Sequence, residues 1–183
     1  MDLIILGMGP SRVDCLYDTE VWGVNNGYHQ IMWHNQDRDK AQSELDRLKS
    51  AIPQSPEEVF AVKEDVEKYT SALTAPVGRL DKLFICHRGQ EYDSVGDPVF
   101  SFDEINQLAH QGVEIVTLFK VKEIPLYTRF PFRKITHKFG TRYFSDTIAY
   151  MLVYALHLNT RQYNGLLRLE NPLNIRMYGV DMH

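Results

Sequence analysis

The chain has 183 residues, of which 44% are apolar and 24% charged, and its formal net charge is −4. That balance excludes a wholly disordered chain, a collagen and a coiled-coil rod, and the slight acidic excess argues against a protein whose main work is coating nucleic acid. With about 150 residues per domain as a guide, the length predicts one domain over 1–183 with room for an insertion.

Leu3-Ile4-Ile5-Leu6 is a continuous apolar run that ends at Gly7. Such a run predicts a parallel strand covered on both faces. Gly7-Met8-Gly9-Pro10-Ser11 then predicts a tight turn, and Val21-Trp22-Gly23-Val24 a second strand that ends at Asn25-Asn26-Gly27. Only a short crossover around Val13 to Tyr17 fits between them. Residues 36–74 are mostly polar and charged, and Ala41, Leu45 and Leu48 recur at helical spacing. After Ser55-Pro56-Glu57-Glu58, a capping box with proline at the first helical position, Val59, Val62, Val66, Tyr69 and Leu73 line one helical face. The segment 36–74 is expected as a helical insertion, or as a lid over a site.

Leu83-Phe84-Ile85-Cys86-His87 predicts a third strand, followed by a loop from Gly89 to Pro98. Ser101 to Glu104 is a second capping box, and its helix should stop at Gly112. Val113 to Phe119 predicts a fourth strand. Lys120 to Gly140, rich in aromatic and basic residues with two prolines, is expected as an irregular loop. Ser145 to Leu158 reads as a helix that is apolar nearly all round and therefore central. Ile175 to Val180 reads as the last strand, ending at Asp181. The alternation predicts an α/β fold of Rossmann-like type, a mostly parallel sheet with helices on both faces.

In such sheets ligands sit beyond the carboxyl ends of the strands. The residues there are Gly7 to Ser11, Asn25 to Gly27, His87 to Gly89, and Asp181. Glycines let a backbone approach a ligand, and N–H groups after a strand can face a phosphate. The pattern is neither G-x-G-x-x-G, since position 12 is Arg, nor a Walker loop. A turn without a ligand accounts for it equally well. Asn25 and Asn26 offer both donor and acceptor to a base or sugar, although Asn-Gly is also common in plain turns. Ser145 and Thr147 could cap the buried helix or hold a phosphate at its positive end, but Asp146 suits the dipole by itself and repels a phosphate.

His87, His137 and His183 are the histidines placed to act as a base near neutral pH. Lys120, Lys122, Arg129, Arg133, Lys134, Lys138 and Arg142 form a basic run interleaved with Tyr127, Phe130, Phe132 and Tyr143. Such a loop could grip a phosphate or stack a base; the plain alternative is a loop whose aromatic rings plug the core. Asp37-Arg38-Asp39 reads as a solvated charge cluster, and no spacing typical of a metal site occurs. Cys15 and Cys86 lack near partners and are expected as reduced thiols. The N-terminus has no basic segment ahead of its short apolar run, so neither a signal peptide nor a membrane anchor is expected, and the location expected is cytoplasmic.

The order of these pieces carries a resemblance. G-x-G-P-S after the first strand, then VWGVN, then YF-S-x-T-IAYML on a helix, then I-x-MYGVDM, resembles a group of small Rossmann-like proteins common in phage genomes. That group looks related to archaeal-type 6-hydroxymethylpterin diphosphokinases and to bacterial sialyltransferases that use CMP-sialic acid. The resemblance covers roughly residues 3 to 33 and 135 to 182. It implies a nucleotide site formed by Gly7, Met8, Gly9, Pro10, Ser11, Asn25, Asn26, Ser145 and Thr147. Met8 stands where the sialyltransferases carry Asn, and the chain ends two residues after Asp181, where those relatives continue.

The expected function is therefore binding of a nucleotide or nucleotide-sugar by a glycosyl- or diphosphoryl-transferase-like enzyme, with His137, His183 and Asp181 as candidates to activate the acceptor. Two alternatives stand beside it. One is a non-catalytic phage protein that sequesters a nucleotide signal. The other is a nucleic-acid modifying protein that uses the basic run. The expected ligand is a nucleotide-type small molecule, with no further cofactor, no metal and no membrane partner.

Overall fold

The computed structural model describes residues 1–9, 12, 14–25, 27–50, 56–74, 77–86, 99–141, 144, 146–164 and 166–180. In chain order the elements are β1 (Asp2–Leu6), β2 (Glu20–Val24), α1 (Tyr28–Ser50), α2 (Pro56–Thr74), β3 (Lys82–Ile85), α3 (Phe102–His110), β4 (Glu114–Thr117), β5 (Thr128–Arg129), α4 (Phe132–Phe139), α5 (Thr147–Leu158), β6 (Thr160–Tyr163), β7 (Leu166–Leu169) and β8 (Asn174–Tyr178). They form two compact units. One holds Met1–Cys15, Thr19–Tyr28 and Leu80–His183; the other holds Leu16–Asp18 and His29–Arg79.

The first unit is built on a six-stranded sheet in the order β5-β4-β3-β2-β1-β8, parallel throughout. This is an α/β fold of the Rossmann-like kind. The apolar runs explain the parallel sheet: Leu3, Ile4, Ile5 and Leu6 are all buried, as a strand covered on both faces requires. From β1 the chain adds β2, β3, β4 and β5 to one side and then returns to place β8 on the other. The strand order therefore reverses between β1 and β8, the place where sheets of this type open a crevice for ligands.

One face of the sheet carries Leu3, Ile5, Trp22, Val24, Phe84 and Val116 against Ile135 of α4 and Met151, Tyr154 and Ala155 of α5. Tyr154 anchors this layer. Its ring meets Trp22 at 5.7 Å, Phe84 at 5.6 Å and Phe130 at 5.7 Å between centroids. Pairs at these separations add about 0.5–1.5 kcal/mol each beyond simple burial. Alternate residues, Ile4, Leu83, Ile85 and Ile115, are equally buried and face the other way. α3 packs against β4, and its buried Ile105 lies outside the α4–α5 cluster. On that side the Tyr28 hydroxyl donates to Glu104 Oε2 at 2.8 Å and accepts from the Ser101 N–H at 3.1 Å. At the amino edge Lys82 bridges Glu20 at 2.9 Å and Glu114 at 3.0 Å. Burial alone would lower its pKa, but the two carboxylates hold it above the ordinary lysine value.

The second unit holds most of α1 and all of α2. Ala41, Leu45 and Leu48 are buried as the spacing predicts, and Val62, Val66, Tyr69 and Leu73 form the half-buried face of α2, whereas Val59, expected on the same face, is exposed in the first turn. Asn35 clasps Gly78 in both directions, Nδ2 to the carbonyl at 3.0 Å and N–H to Oδ1 at 2.8 Å. The start of the first capping box, Ser55, lies outside the described residues. The second box is present: Ser101 caps α3 by accepting from the Glu104 N–H.

Two expectations need correction. The stretch from Lys120 to Gly140 is not an irregular loop throughout: it contains β5 and then α4. Pro131 stands just ahead of this helix, and Gly140 closes it at φ +68°. The second correction is a missed hairpin, β6 with β7, paired antiparallel with Thr160 opposite Leu169. α5 is also less enclosed than its composition suggests, since Leu156 and Leu158 in its last turn are exposed. Among the described residues no helix is long and apolar enough to cross a membrane.

Candidate functional site

β1 ends in a glycine because its carboxyl end meets that of β8. A Cβ on Gly7 would stand 2.2 Å from the Gly179 carbonyl oxygen, and one on Gly179, at φ +67°, would stand 2.8 Å from the Gly7 oxygen. The contact is fixed by hydrogen bonds from the Gly7 N–H to the Tyr178 carbonyl at 2.8 Å and from the Gly9 N–H to the Gly179 carbonyl at 2.7 Å. Arg12 folds back beneath this turn and donates to the carbonyls of Met8 at 2.5 Å and Gly9 at 2.8 Å. The Gly7 and Gly9 N–H groups, expected to face a phosphate, are thus spent on the β1–β8 junction. Met8 is the exposed residue of the turn, and Pro10 and Ser11 lie outside the described residues.

At the end of β2, Asn25 takes φ +40°. Its N–H donates to the Phe84 carbonyl at 2.8 Å, and the turn is closed by the Gly27 N–H on the Val24 carbonyl at 2.6 Å. The plain turn reading therefore holds for the backbone. The side chain is another matter: Asn25 Oδ1 is buried and meets no donor among the described residues. Thr117, which ends β4, is fully buried, and its Oγ1 has no partner either. The two strands lie two steps apart, about 10 Å. Nearly all buried polar atoms are paired; of the four buried side-chain atoms without a partner among the described residues, these two lie at the carboxyl ends of sheet strands, and the others are Asn106 Oδ1 and His157 Nδ1.

Between them, Cys86 follows β3. Burial pushes its thiol up to about 11; a hydrogen bond with Thr147 opposes this and the Asp146 carboxylate adds to it. At neutral pH it is a thiol, not a nucleophilic thiolate. Thr147 opens α5 beside Cys86 at the carboxyl edge, but it does not cap the helix. Asp146 does, accepting from the Ala149 N–H at 2.8 Å. Its charge occupies the positive end of the helix, where the dipole already favours it, and leaves that end unsuited to a phosphate.

His137 is not brought to this edge. It is exposed in the last turn of α4. The neighbouring Lys138 donates to the carbonyls of His157 and Thr160, so this turn lies beside the far end of α5. A 12-residue helix separates it from Thr147, about 18 Å at 1.5 Å per residue. Asn26, Ser145, His87, Asp181 and His183 lie outside the described residues.

Sequence reasoning missed two members of the edge. Arg12 was noted only as the residue that breaks a glycine pattern, yet it holds the turn. Thr117 was passed over because one threonine inside an apolar strand carries no signal of its own. Among the described residues no group of three or more His, Cys, Asp or Glu is arranged to hold a metal ion. No family model, no curated protein and no solved structure matches the chain.

Proposed function

We propose that this protein binds a nucleotide or nucleotide-sugar along the carboxyl edge of its parallel sheet, beside the β1–β8 junction. The observation that carries the reading is the buried, unpaired Oδ1 of Asn25 at the end of β2. A base amine or a sugar hydroxyl supplies the donor it lacks. Thr117 Oγ1 extends the same edge and takes a second hydrogen bond. The reaction class that fits is transfer of a glycosyl or diphosphoryl group, in keeping with the sequence resemblance, with Asp181 and His183 following β8 as the candidates to activate an acceptor.

A second reading, sequestration without turnover, has one observation in its favour. Of the described titratable groups at this edge, Asp146 is committed as a helix cap and Cys86 stays protonated. A thermal-shift screen with CMP, CDP, UDP, GDP, ATP and their sugar derivatives tests the binding. A ligand present at about 100 times its Kd adds about 2.7 kcal/mol of stability. A response to one nucleotide class supports the proposal, and no response across the panel overturns it. Recovery of the ligand after denaturation separates the two readings: transferred in the first, intact in the second.

A further inference from the structure

We infer that the junction of β5 and α4 is a separate binding site for a phosphate ester of a small organic molecule. Arg129, Phe130, Pro131, Phe132, Arg133 and Lys134 line an open recess of about 450 Å³. The chain as a whole is acidic, yet this recess gathers three cations, and α4 has no acidic residue in its first turn. Among the described residues, the side chains of Arg129, Arg133 and Lys134 take part in no ion pair or hydrogen bond. By contrast, Lys40 pairs with Asp37, Arg47 with Glu44, and Lys82 with two glutamates.

The structure also sorts the basic run. Lys138 is turned to the end of α5, and Lys120 and Lys122 do not line the recess. Arg142 lies outside the described residues, and the three that line the recess offer two planar guanidinium forks and one ammonium, the donor geometry that takes a phosphoryl group in bidentate fashion. The helix dipole of α4 adds to their field. The volume exceeds what one phosphate fills and lies within the range of about 300–1,000 Å³ typical of small-molecule sites. Phe132 is exposed at the rim and offers an apolar surface to the organic part of the ester. This site stands whether or not Asn25 contacts a nucleotide, because it uses none of the same residues.

The test is a calorimetric titration at low salt with phenyl phosphate and with inorganic phosphate. Phenyl phosphate is expected to bind saturably at one site per chain, more tightly than inorganic phosphate. Arg129→Ala and Arg133→Ala are each expected to weaken it about tenfold, as the loss of a charge-assisted hydrogen bond does. Lys122→Ala, a cation of the same run outside the recess, is expected to leave it unchanged. All three side chains are exposed, so folding is expected to persist, and circular dichroism checks it. Absence of saturable binding overturns the proposal. So does equal or tighter binding of inorganic phosphate, or an equal loss in Lys122→Ala, which would reveal diffuse charge. Binding of a duplex oligonucleotide with steep salt dependence, without saturable binding of phenyl phosphate, would also overturn it and assign the patch to nucleic acid.

Discussion

Gly7 and Gly179 close the carboxyl ends of β1 and β8 on each other so tightly that a Cβ on Gly7 would stand 2.2 Å from the Gly179 carbonyl oxygen. The contact joins backbone to backbone, so no side-chain rotation can relieve an added methyl group. Gly7→Ala and Gly179→Ala are each expected to destabilise the protein by about 1–3 kcal/mol, the usual cost of overpacking. Gly179→Ala carries a further penalty because its φ is +67°. Urea unfolding of the two variants measures this; midpoints unchanged from the parent would show that the junction tolerates a Cβ.

The Cys86 thiol is expected to react slowly with iodoacetamide at neutral pH. Burial raises its pKa to about 11, and only the thiolate reacts. Because the folded value lies above the unfolded one, its contribution to stability is complete below about pH 8.5 and is lost as pH rises toward 11. The rate of alkylation against pH should bend near 11; a bend near 8.5 would contradict the buried geometry.

His157 acts at the other end of the pH scale. Burial lowers its pKa, and Lys138 and Lys134 lower it further; its Nδ1 is buried with no partner. The folded value lies below the unfolded one of about 6.5, so the unfolded chain takes up the proton first as pH falls. Stability is therefore expected to drop below about pH 6.5, and His157→Gln to flatten that part of the curve. Thermal midpoints between pH 5 and 8 for both proteins test it; parallel curves would sink the assignment.

Much of the sheet was legible because a parallel strand covered on both faces needs an unbroken apolar run, and Leu3 to Leu6, Val21 to Val24 and Leu83 to Ile85 have one. The capping box at Ser101 was legible because its hydrogen bond is local. α4 was hidden because Phe132, Ile135, Thr136, His137 and Phe139 have only middling helix propensity; it is held in place by Ile135 packing into the core, a contact between distant parts of the chain. Yet proline ahead of it and glycine behind it were the usual boundary signals. The hairpin was legible in principle from Asn164-Gly165, a common two-residue turn, but its strands are short and exposed.

The candidate site was legible only as a location. Glycine after β1 and asparagine after β2 marked the carboxyl edge. What the sequence could not show is that the Gly7 and Gly9 N–H groups are taken by β8, because that strand comes from the opposite end of the chain. Nor could it show that Asp146, rather than Thr147, caps α5. Local spacing offers both residues, and only the folded backbone chooses.

The most direct test of the edge as a binding site is Asn25→Gly. Asn25 sits at φ +40°, where glycine is unstrained, so the variant is expected to fold at least as stably as the parent. It removes the one buried oxygen left unpaired at the end of β2. Isothermal titration with the nucleotide that responds in the thermal-shift screen is then predicted to show affinity reduced by about tenfold or more, the cost of one lost hydrogen bond of about 1.4 kcal/mol. Unchanged affinity in a stably folded Asn25→Gly protein would contradict the account.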